Sequence, residues 1–292
     1  MAQTAPIVFY QGEFIDQSEA RYALQDRGVL FADGVYEVVR YDRGRAFAMQ
    51  PHVDRLARSL AGIDLQGVDA SAFAGWSEEL MQRNGLADAK VYWQVTRGPA
   101  ARDFAIPTDG SLEPTVTLIA FPTQPIASKV ELISGPGHIV EDCRWTKCWI
   151  KSLMLLPASL AKTAAVKAGA VEAIFERAKP GQADQHLTEG ASTNLFIVRD
   201  GELWTHPDDG WVLGGITREA LLGLAQELGI PTRDDQPFTR SEMLAADEAF
   251  VCSTTQLNGI TSVGDAVIAE GQPGPVTKKL HAAYHEAILR GD

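Results

Sequence analysis

At residues 144–157 the chain reads RWTKCWIKSLMLLP, an apolar run with Lys151 near its centre. A lysine among Trp149, Ile150 and Leu153 is expected to be partly desolvated, and desolvation lowers the pKa of its amine. The neutral amine is a nucleophile that can form a Schiff base with a carbonyl group. The ordinary interpretation is a lysine whose stem packs against apolar neighbours while its ammonium group reaches water. Other candidate binding or catalytic residues in the chain would favour the reactive lysine over the structural one.

The composition is that of an ordinary globular protein. The 292 residues suffice for about two domains of about 150 residues each, and 45% of them are hydrophobic. With 26 basic and 38 acidic side chains, the formal net charge is 26 − 38 = −12 at pH 7. Nucleic acids and anionic membranes attract basic surfaces, so this balance disfavours both as partners. The N-terminus lacks the pattern of a signal peptide, and no apolar stretch is long enough to span a bilayer. We therefore expect a cytoplasmic protein that acts on small molecules.

Neither the cysteines nor the histidines suggest a metal site. Cys143, Cys148 and Cys252 are odd in number, and their spacing fits neither a disulfide framework nor a zinc site. His281 and His285 stand four apart on a predicted helix, but no third ligand accompanies them, and we interpret them as ordinary helix residues. We predict no bound metal.

Predicted strands and helices occur in both halves of the chain, which indicates a mixed α/β (α+β) protein of two domains. The stretch at 121–128 is extended in character and is interpreted as a linker between domains at 1–120 and 129–292, with Lys151 in the second. Strands are predicted at 7–15 (a hairpin), 35–40, 91–96, 115–120, 130–134 (followed by a turn at 135–137), 171–177, 195–198, 203–205 and 249–252. Helices are predicted at 50–63, 71–83, 159–167, 218–228 and 276–289. In the strand at 35–40, alternation places Val35, Glu37 and Val39 on one face.

Two polar segments could bind an anion. Gly214-Gly215-Ile216-Thr217 runs directly into a helix, with Thr217 as the predicted N-cap and two glycines that permit close approach of a ligand. Free amide groups and the helix dipole would attract a negative charge there. Ser253-Thr254-Thr255 follows a strand and offers further donors, and Arg55 could add a cation from the first domain. A capped helix, a polar turn and a solvated arginine are the ordinary interpretations.

Glu189 lies among small residues, in the sequence TEGAS at 188–192. Small neighbours would let a flat ring approach, and the carboxylate could then pair with a protonated ring nitrogen. The ordinary interpretation is a loop carboxylate that caps the turn before Asn194.

Together these segments resemble the fold-type IV (class IV) pyridoxal-phosphate-dependent aminotransferases, and within them the D-amino acid transaminases. The similar segments keep their order over nearly the whole chain: 26–28 with 31–39, 52–58, 95–98 with Arg102, 141–156, 188–194, 215–218 and 253–254. The match of each segment to the family is weak alone, but the match of all the segments in order is specific.

The resemblance implies two α/β domains with pyridoxal 5'-phosphate between them. Lys151 would form the internal aldimine and act as the general base, and Glu189 would contact the pyridine nitrogen. The resemblance assigns the phosphate to Arg55, Ile216, Thr217, Ser253 and Thr254, and packs Leu213 on the ring. Tyr36 and Arg102 would bind the substrate carboxylate, with the arginine coming from the partner subunit of a homodimer. The implied reaction moves an amino group between a D-amino acid and a 2-oxo acid.

This chain departs from the family's pattern in three respects. Asp103 and Phe104 follow Arg102 where the family usually has a histidine two residues after the arginine. Trp149 replaces a common aspartate, and Met154 replaces an asparagine. We predict weaker binding of α-carboxylates, especially dicarboxylates, since loss of the histidine removes a donor and Asp103 would repel an anionic group. D-glutamate with 2-oxoglutarate as the best pair would contradict this.

Three alternatives remain open at this stage. An (R)-selective amine transaminase fits the altered carboxylate site. A 4-amino-4-deoxychorismate lyase would share the fold and the cofactor but would release pyruvate without any keto acid. A non-catalytic anion-binding protein would be colourless, whereas an internal aldimine absorbs visible light and is fixed by borohydride.

Overall fold

The computed structural model describes residues 4–127, 130–178, 184–254 and 256–290. It divides into two compact units. The first contains Met1–Ala127, Ile150–Met154 and Ile288–Asp292, and the second contains Ser128–Trp149 and Leu155–Ala287. The sequence interpretation placed Lys151 with residues 129–292, whereas its segment packs with the first unit. The linker at 121–128 stays a prediction.

The first unit is built on an antiparallel sheet, six-stranded within the described residues, in the order β2-β1-β6-β5-β3-β4. The strands are β1 (Ile7–Tyr10), β2 (Glu13–Asp16), β3 (Gly34–Asp42), β4 (Arg45–Ala46), β5 (Ala89–Thr96) and β6 (Thr115–Pro122). The helices are α1 (Arg27–Phe31), α2 (Met49–Gly62) and α3 (Ala72–Arg83). The predicted helices at 50–63 and 71–83 and the predicted hairpin at 7–15 are confirmed.

Strand β3 follows the predicted alternation. Val35, Glu37 and Val39 are each 0% exposed, whereas Tyr36 and Val38 on the other face are half-buried. A carboxylate on a fully buried face needs a cationic or hydrogen-bonding partner, because an isolated buried charge is very unfavourable. The burial of Glu37 therefore indicates that a cationic or hydrogen-bonding partner lies inside this unit.

The second unit contains a mixed sheet, nine-stranded in the part of the chain that is described. Its main path is β12-β11-β10-β13-β14-β7-β8-β9, and β15 pairs with β14. The strands are β7 (Ser134–Glu141), β8 (Glu172–Ala178), β9 (Gln185–Gly190), β10 (Asn194–Arg199), β11 (Glu202–Thr205), β12 (Thr232–Arg233), β13 (Glu248–Ser253), β14 (Gln256–Val263) and β15 (Ala266–Val267). The helices are α4 (Leu156–Lys167), α5 (Ile216–Glu227), α6 (Arg240–Leu244) and α7 (Pro275–Arg290, up to Ala287 in this unit).

Strand β9 pairs with both β8 and β10, so part of this sheet closes on itself. The pairing between β9 and β10 aligns Glu189 with Asn194. This register brings together the two ends of the TEGASTN segment at 188–194, and it positions Glu189 beside an amide side chain.

The expected strand at 130–134 and the expected turn at 135–137 are wrong. Strand β7 instead runs through this segment from Ser134 to Glu141 and pairs in parallel with β14 and β8. Pro136, which lacks an N–H donor, lies where the register with β14 shifts. A Cβ on Gly137 would come 2.8 Å from Ile174 Cδ1, so glycine here serves close packing between strands and is no turn signal.

Within the described ranges, no helix has both the length and the apolar character that a membrane crossing requires.

Candidate active site

Lys151 is positioned by strand β3. Its carbonyl oxygen accepts the Tyr36 N–H at 2.9 Å, and the Leu153 N–H donates to the Gly34 carbonyl at 3.0 Å. These bonds flank an antiparallel bridge between Ser152 and Val35. An isolated antiparallel bridge and its two flanking hydrogen bonds thus hold the short segment around the lysine against the start of β3.

The Lys151 side chain lies over Tyr36. Its Nζ is 3.4 Å from the tyrosine hydroxyl oxygen and 4.4 Å from the ring centroid. The lysine backbone N–H also donates to Ser59 Oγ at 3.2 Å. The predicted amine and the predicted tyrosine are therefore neighbours, and Lys151 is half-buried.

Arg55 belongs to a buried polar group with Glu37 and His52. Its Nε and Nη2 donate to the two carboxylate oxygens of Glu37 at 2.6 and 2.9 Å. His52 Nδ1 lies 2.8 Å from Glu37 Oε2. Burial alone would raise the pKa of Glu37, but the charge and hydrogen bonds of Arg55 and the contact with His52 outweigh it and lower that pKa to about 2. Glu37 is therefore ionised and fixes the plane of the Arg55 guanidinium.

Glu37 and His52 were not among the predicted site residues. The signal for Glu37 was its place on the apolar face of β3, where a buried carboxylate demands a partner. His52 stands three residues before Arg55 on α2, so both reach the same side of the helix. The ordinary interpretation of Arg55 is a solvated arginine, yet Arg55 is only 5% exposed.

Glu189 is the buried acid of the second unit. Arg144 Nη1 donates to Oε1 at 2.5 Å, while Asn194 Nδ2 and the Leu213 N–H donate to Oε2 at 3.1 and 3.0 Å. Burial raises the pKa of Glu189, and Arg144 opposes part of that rise. A carboxylate offers about four acceptor positions, so these three donors leave room for one more.

Arg144 connects Glu189 to a second carboxylate, Asp142. Its Nε and Nη2 donate to Asp142 Oδ1 and Oδ2, both at 2.9 Å, and its guanidinium lies 4.3 Å from the centroid of the Phe175 ring. Sequence reasoning missed this arginine, although it begins the run that contains Lys151. The partner is 45 positions away, and only the folded sheet reveals the pair.

Helix α5 begins at Ile216, with Gly215 as its N-cap and no side-chain cap. Thr217 was expected to be the cap; it is the second helical residue, because Gly215 supplies the extended backbone at φ −74° and ψ 131°. A Cβ on Gly215 would lie 1.9 Å from Asn194 Oδ1, so this position requires glycine. Because glycine has no side chain, the cap residue itself gives no acceptor to the first amide groups of α5, at the positive end of the helix.

Tyr284 links the two predicted donor segments of this unit. Its hydroxyl oxygen lies 3.1 Å from Thr217 Oγ1 and donates to the Thr254 carbonyl at 3.4 Å. Ser253 ends β13 directly before that turn. Leu213 is joined to Glu189 and Asn194: its N–H donates to Glu189 Oε2, and its carbonyl accepts from Asn194 Nδ2 at 2.8 Å. Thr255, part of the predicted donor segment, lies outside the described residues.

Arg102 is exposed on the loop between β5 and β6. Its guanidinium lies 5.7 Å from the ring centroid of Phe31 and 5.9 Å from that of Phe104. No hydrogen bond or ion pair joins Arg102 to Tyr36 or Lys151 among the described residues. The Asp103 carboxylate accepts the Ala105 N–H at 3.0 Å, so it turns into its own loop.

The predicted residues therefore form two groups, each within one unit. The first unit contains Lys151, Tyr36 and Arg55, and the second contains Glu189, Leu213, Ile216, Thr217, Ser253 and Thr254. The first group offers a primary amine beside a hydroxyl. The second offers a buried carboxylate and a set of anion donors.

Known proteins resemble this chain over its full length. A D-alanine aminotransferase of Listeria monocytogenes is 36% identical over 286 residues, which cover 97% of this chain and 96% of that protein. The crystal structure of a branched-chain aminotransferase from Thermoproteus uzoniensis with norvaline has a TM-score of 0.85 at 26% identity, covering 99% of this chain and 96% of that one. The branched-chain amino acid aminotransferase of Thermobaculum terrenum in its PLP-form has a TM-score of 0.83 at 22% identity, and the match covers 99% of this chain and 95% of that one. The sequence profile described as amino-transferase class IV matches residues 34–263, and this chain belongs to that family.

Proposed function

We propose that this class IV aminotransferase moves amino groups between a D-amino acid and a 2-oxo acid, with pyridoxal 5'-phosphate carried by Lys151. The observation that carries the proposal is the Lys151 amine, held on β3 with its Nζ 3.4 Å from the Tyr36 hydroxyl. The name D-alanine aminotransferase of a relative at 36% identity supports the D-amino acid.

The donor chemistry of the described residues fits this cofactor. Glu189 retains about one acceptor position for a protonated ring nitrogen, and the Leu213 N–H donates to the same carboxylate. The uncapped start of α5, together with Thr217, Ser253 and Thr254, has the donors that a phosphate group needs. Arg55 would add a positive charge. An aldehyde, a basic ring nitrogen and a dianion would each meet a suitable group.

Each side chain then has a definite task. When bound, the cofactor withdraws the electron pair left at the substrate Cα after its proton departs. Lys151 Nζ would take that proton from the substrate Cα as a general base and later give it back as a general acid. Arg144 favours the ionised form of Glu189, in which the carboxylate would accept a proton-bearing ring nitrogen. Glu37 and His52 orient the Arg55 guanidinium.

We assign the substrate carboxylate to Tyr36 and Arg102. The aromatic rings beside Arg102 give this loop an apolar character, and Asp103 adds a negative charge to it. Monocarboxylic D-amino acids such as D-alanine are therefore expected to bind better than D-glutamate. A best pair of D-glutamate and 2-oxoglutarate would contradict this assignment.

The direct test is a panel of D-amino acids, L-amino acids and (R)-amines with pyruvate or 2-oxoglutarate as acceptor. We expect D-amino acids to be preferred, and Lys151→Ala to abolish turnover and the visible absorbance of the holoenzyme. Borohydride should leave a pyridoxyl group on Lys151, which mass spectrometry of peptides would locate. Turnover that survives Lys151→Ala would refute the proposal.

The same panel separates the other functions. Preference for (R)-amines would indicate an amine transaminase, and pyruvate release from 4-amino-4-deoxychorismate without a keto acid would indicate a lyase. A colourless protein that binds phosphate but turns over no amine would be a non-catalytic anion-binding protein.

We further propose a cytoplasmic homodimer in which Arg102 serves the partner subunit. Cys143, Cys148 and Cys252 are free thiols, as a reducing compartment favours. Mixing inactive Lys151→Ala with impaired Arg102→Ala subunits should restore part of the activity, because a mixed dimer contains one complete site. No recovery after subunit exchange would contradict the shared site.

A further inference from the structure

Arg27 contacts the loop that carries Arg102 at the base of that loop. The Arg27 backbone N–H donates to the Gly98 carbonyl at 2.9 Å, where the loop begins. Its guanidinium then reaches the carbonyls beyond Arg102: Nη1 donates to Asp103 at 2.8 Å and to Ala105 at 3.5 Å, and Nη2 donates to Phe104 at 3.4 Å. Both ends of the segment that contains Arg102 are therefore attached to Arg27.

Arg27 is itself held rigidly. It is 4% exposed, and its Nε donates to Asp33 Oδ2 at 2.8 Å. Asp33 also accepts Arg97 Nε, so two buried guanidinium groups share one carboxylate. The loop carbonyls supply the remaining acceptors for Arg27, because a buried guanidinium with unsatisfied donors is unfavourable. The loop and the buried arginine thus depend on each other.

The aromatic ring of Phe31 provides a second attachment. Phe31 ends helix α1 one turn after Arg27, and its ring centroid lies 4.7 Å from the Arg27 guanidinium. The Phe104 ring lies 5.6 Å away, and the Arg102 guanidinium lies 5.7 Å away. Helix α1 therefore contacts the loop through its backbone and through its side chains on both sides of Asp103.

We infer that Arg27, assisted by Phe31, is a positioning residue for substrate-carboxylate recognition: it holds the Arg102 loop in shape without touching the substrate. This inference rests on the proposed function, in which Arg102 binds the substrate carboxylate. A loop anchored at three consecutive carbonyls presents Arg102 in few conformations, so little ordering is needed when the substrate binds. Loss of the anchor should weaken binding and leave the chemical step at saturation intact.

Arg97 is a matched control. It is 5% exposed and shares Asp33, but its Nη1 and Nη2 donate to the carbonyls of Asp64 and Ile63 at 2.9 and 2.6 Å. Substitution of either arginine by lysine keeps one positive charge near Asp33 and removes the planar set of donors. Only Arg27→Lys releases the Arg102 loop.

The test compares Arg27→Lys with Arg97→Lys in the holoenzyme with D-alanine and 2-oxoglutarate. We expect Arg27→Lys to raise the KM for D-alanine about tenfold, as for the loss of one or two hydrogen bonds to a charged group, with kcat unchanged. Hydrogen exchange of the amides at 102–106 should accelerate in Arg27→Lys alone. In an Arg102→Ala background, Arg27→Lys should have no further effect on KM.

Equal effects of the two lysine variants on KM and on exchange at 102–106 would overturn the inference, because both would then reflect a general loss of stability. If Arg102→Ala leaves KM unchanged, the carboxylate role of Arg102 in the proposed function fails, and hydrogen exchange still decides whether Arg27 anchors the loop. Should Arg27→Lys not fold, Phe104→Ala removes the aromatic attachment at an exposed position. It should raise KM and exchange in the same direction, and unchanged values would refute the anchoring.

Discussion

Two buried glutamates of this protein differ in their surroundings. Glu37 meets the Nε–Nη2 edge of Arg55 with both oxygens, and its pKa is lowered to about 2. Glu189 is also paired with an arginine, yet burial raises its pKa. Glu37 has a full counter-charge inside its unit, whereas Asp142 shares the charge of Arg144 with Glu189. The charge of Glu37 is therefore balanced by protein groups alone, whereas Glu189 could still pair with a cationic ligand.

Glu37→Gln should destabilise the protein by about 3 kcal/mol, because it removes the carboxylate charge opposite the buried Arg55. Urea unfolding of the purified variants would measure this loss. Glu79→Gln is the control, since Glu79 pairs with Arg83 at 2.7 Å on the surface of α3, and it should change stability by less than about 0.5 kcal/mol. Similar losses in both variants would contradict the buried role of Glu37.

Glu37 should also make stability depend on pH in acid. Its pKa falls from 4.5 to about 2 on folding, so below pH 4.5 the unfolded chain binds the proton more readily. The stabilisation is fully present above pH 4.5 and is lost as the pH falls towards about 2. The difference in unfolding free energy between wild type and Glu37→Gln should therefore shrink over that window. A difference that stays constant there would refute the lowered pKa.

At the scale of elements, strand β3 organises the group of candidate residues in the first unit. It carries Tyr36 on one face and Glu37 on the other, and its start pairs with the Lys151 segment. Close approach at this point depends on Gly34. A Cβ there would lie 2.4 Å from the Val95 carbonyl oxygen and 2.8 Å from Leu153 Cδ1. The lysine is thus positioned by main-chain pairing, which any shift of β3 would disturb.

Gly34→Ala should lower stability by about 1–3 kcal/mol, because a backbone oxygen of β5 cannot move aside cheaply. It should also reduce activity by displacing the Lys151 segment. Gly75→Ala on α3 is the control: no atom lies within 4 Å of the added methyl group, and the change should stabilise the helix by about 0.5–1 kcal/mol. Thermal unfolding and initial rates of both variants provide the measurements. Wild-type behaviour of Gly34→Ala would contradict the close approach.

At the scale of the whole molecule, acidic side chains dominate the charge. The net charge of −12 at pH 7 keeps molecules apart by mutual repulsion. Solubility should therefore be lowest near pH 5.0, the isoelectric point of the sequence, and added salt at pH 7 should weaken the repulsion. Light scattering across the acid range would measure this. A solubility minimum well above pH 5.0 would contradict the prediction that net charge controls solubility.

Local signals in the sequence were sufficient for most elements and for the proposed chemistry. Alternation predicted β3 with its buried Glu37 face, and helical spacing predicted α2 and α3, because each pattern depends on neighbours within one or two turns. The prediction for 130–137 was wrong because the structure of this segment depends on strands that are distant in sequence. Its glycines and proline resemble a turn, and only parallel pairing with β14 and β8 makes them a strand.

By itself the sequence determined which candidate groups the chain offers: an amine at Lys151, an acid at Glu189, and a glycine before α5. Only the tertiary structure decided what surrounds them. It gave Glu189 the Arg144 guanidinium, paired Arg55 with Glu37 and His52, and attached the Arg102 loop to Arg27. The physical reason is distance along the chain. Hydrogen bonds and ion pairs depend on positions within a few ångströms, and folding brings together residues whose separation in sequence carries no trace of the contact.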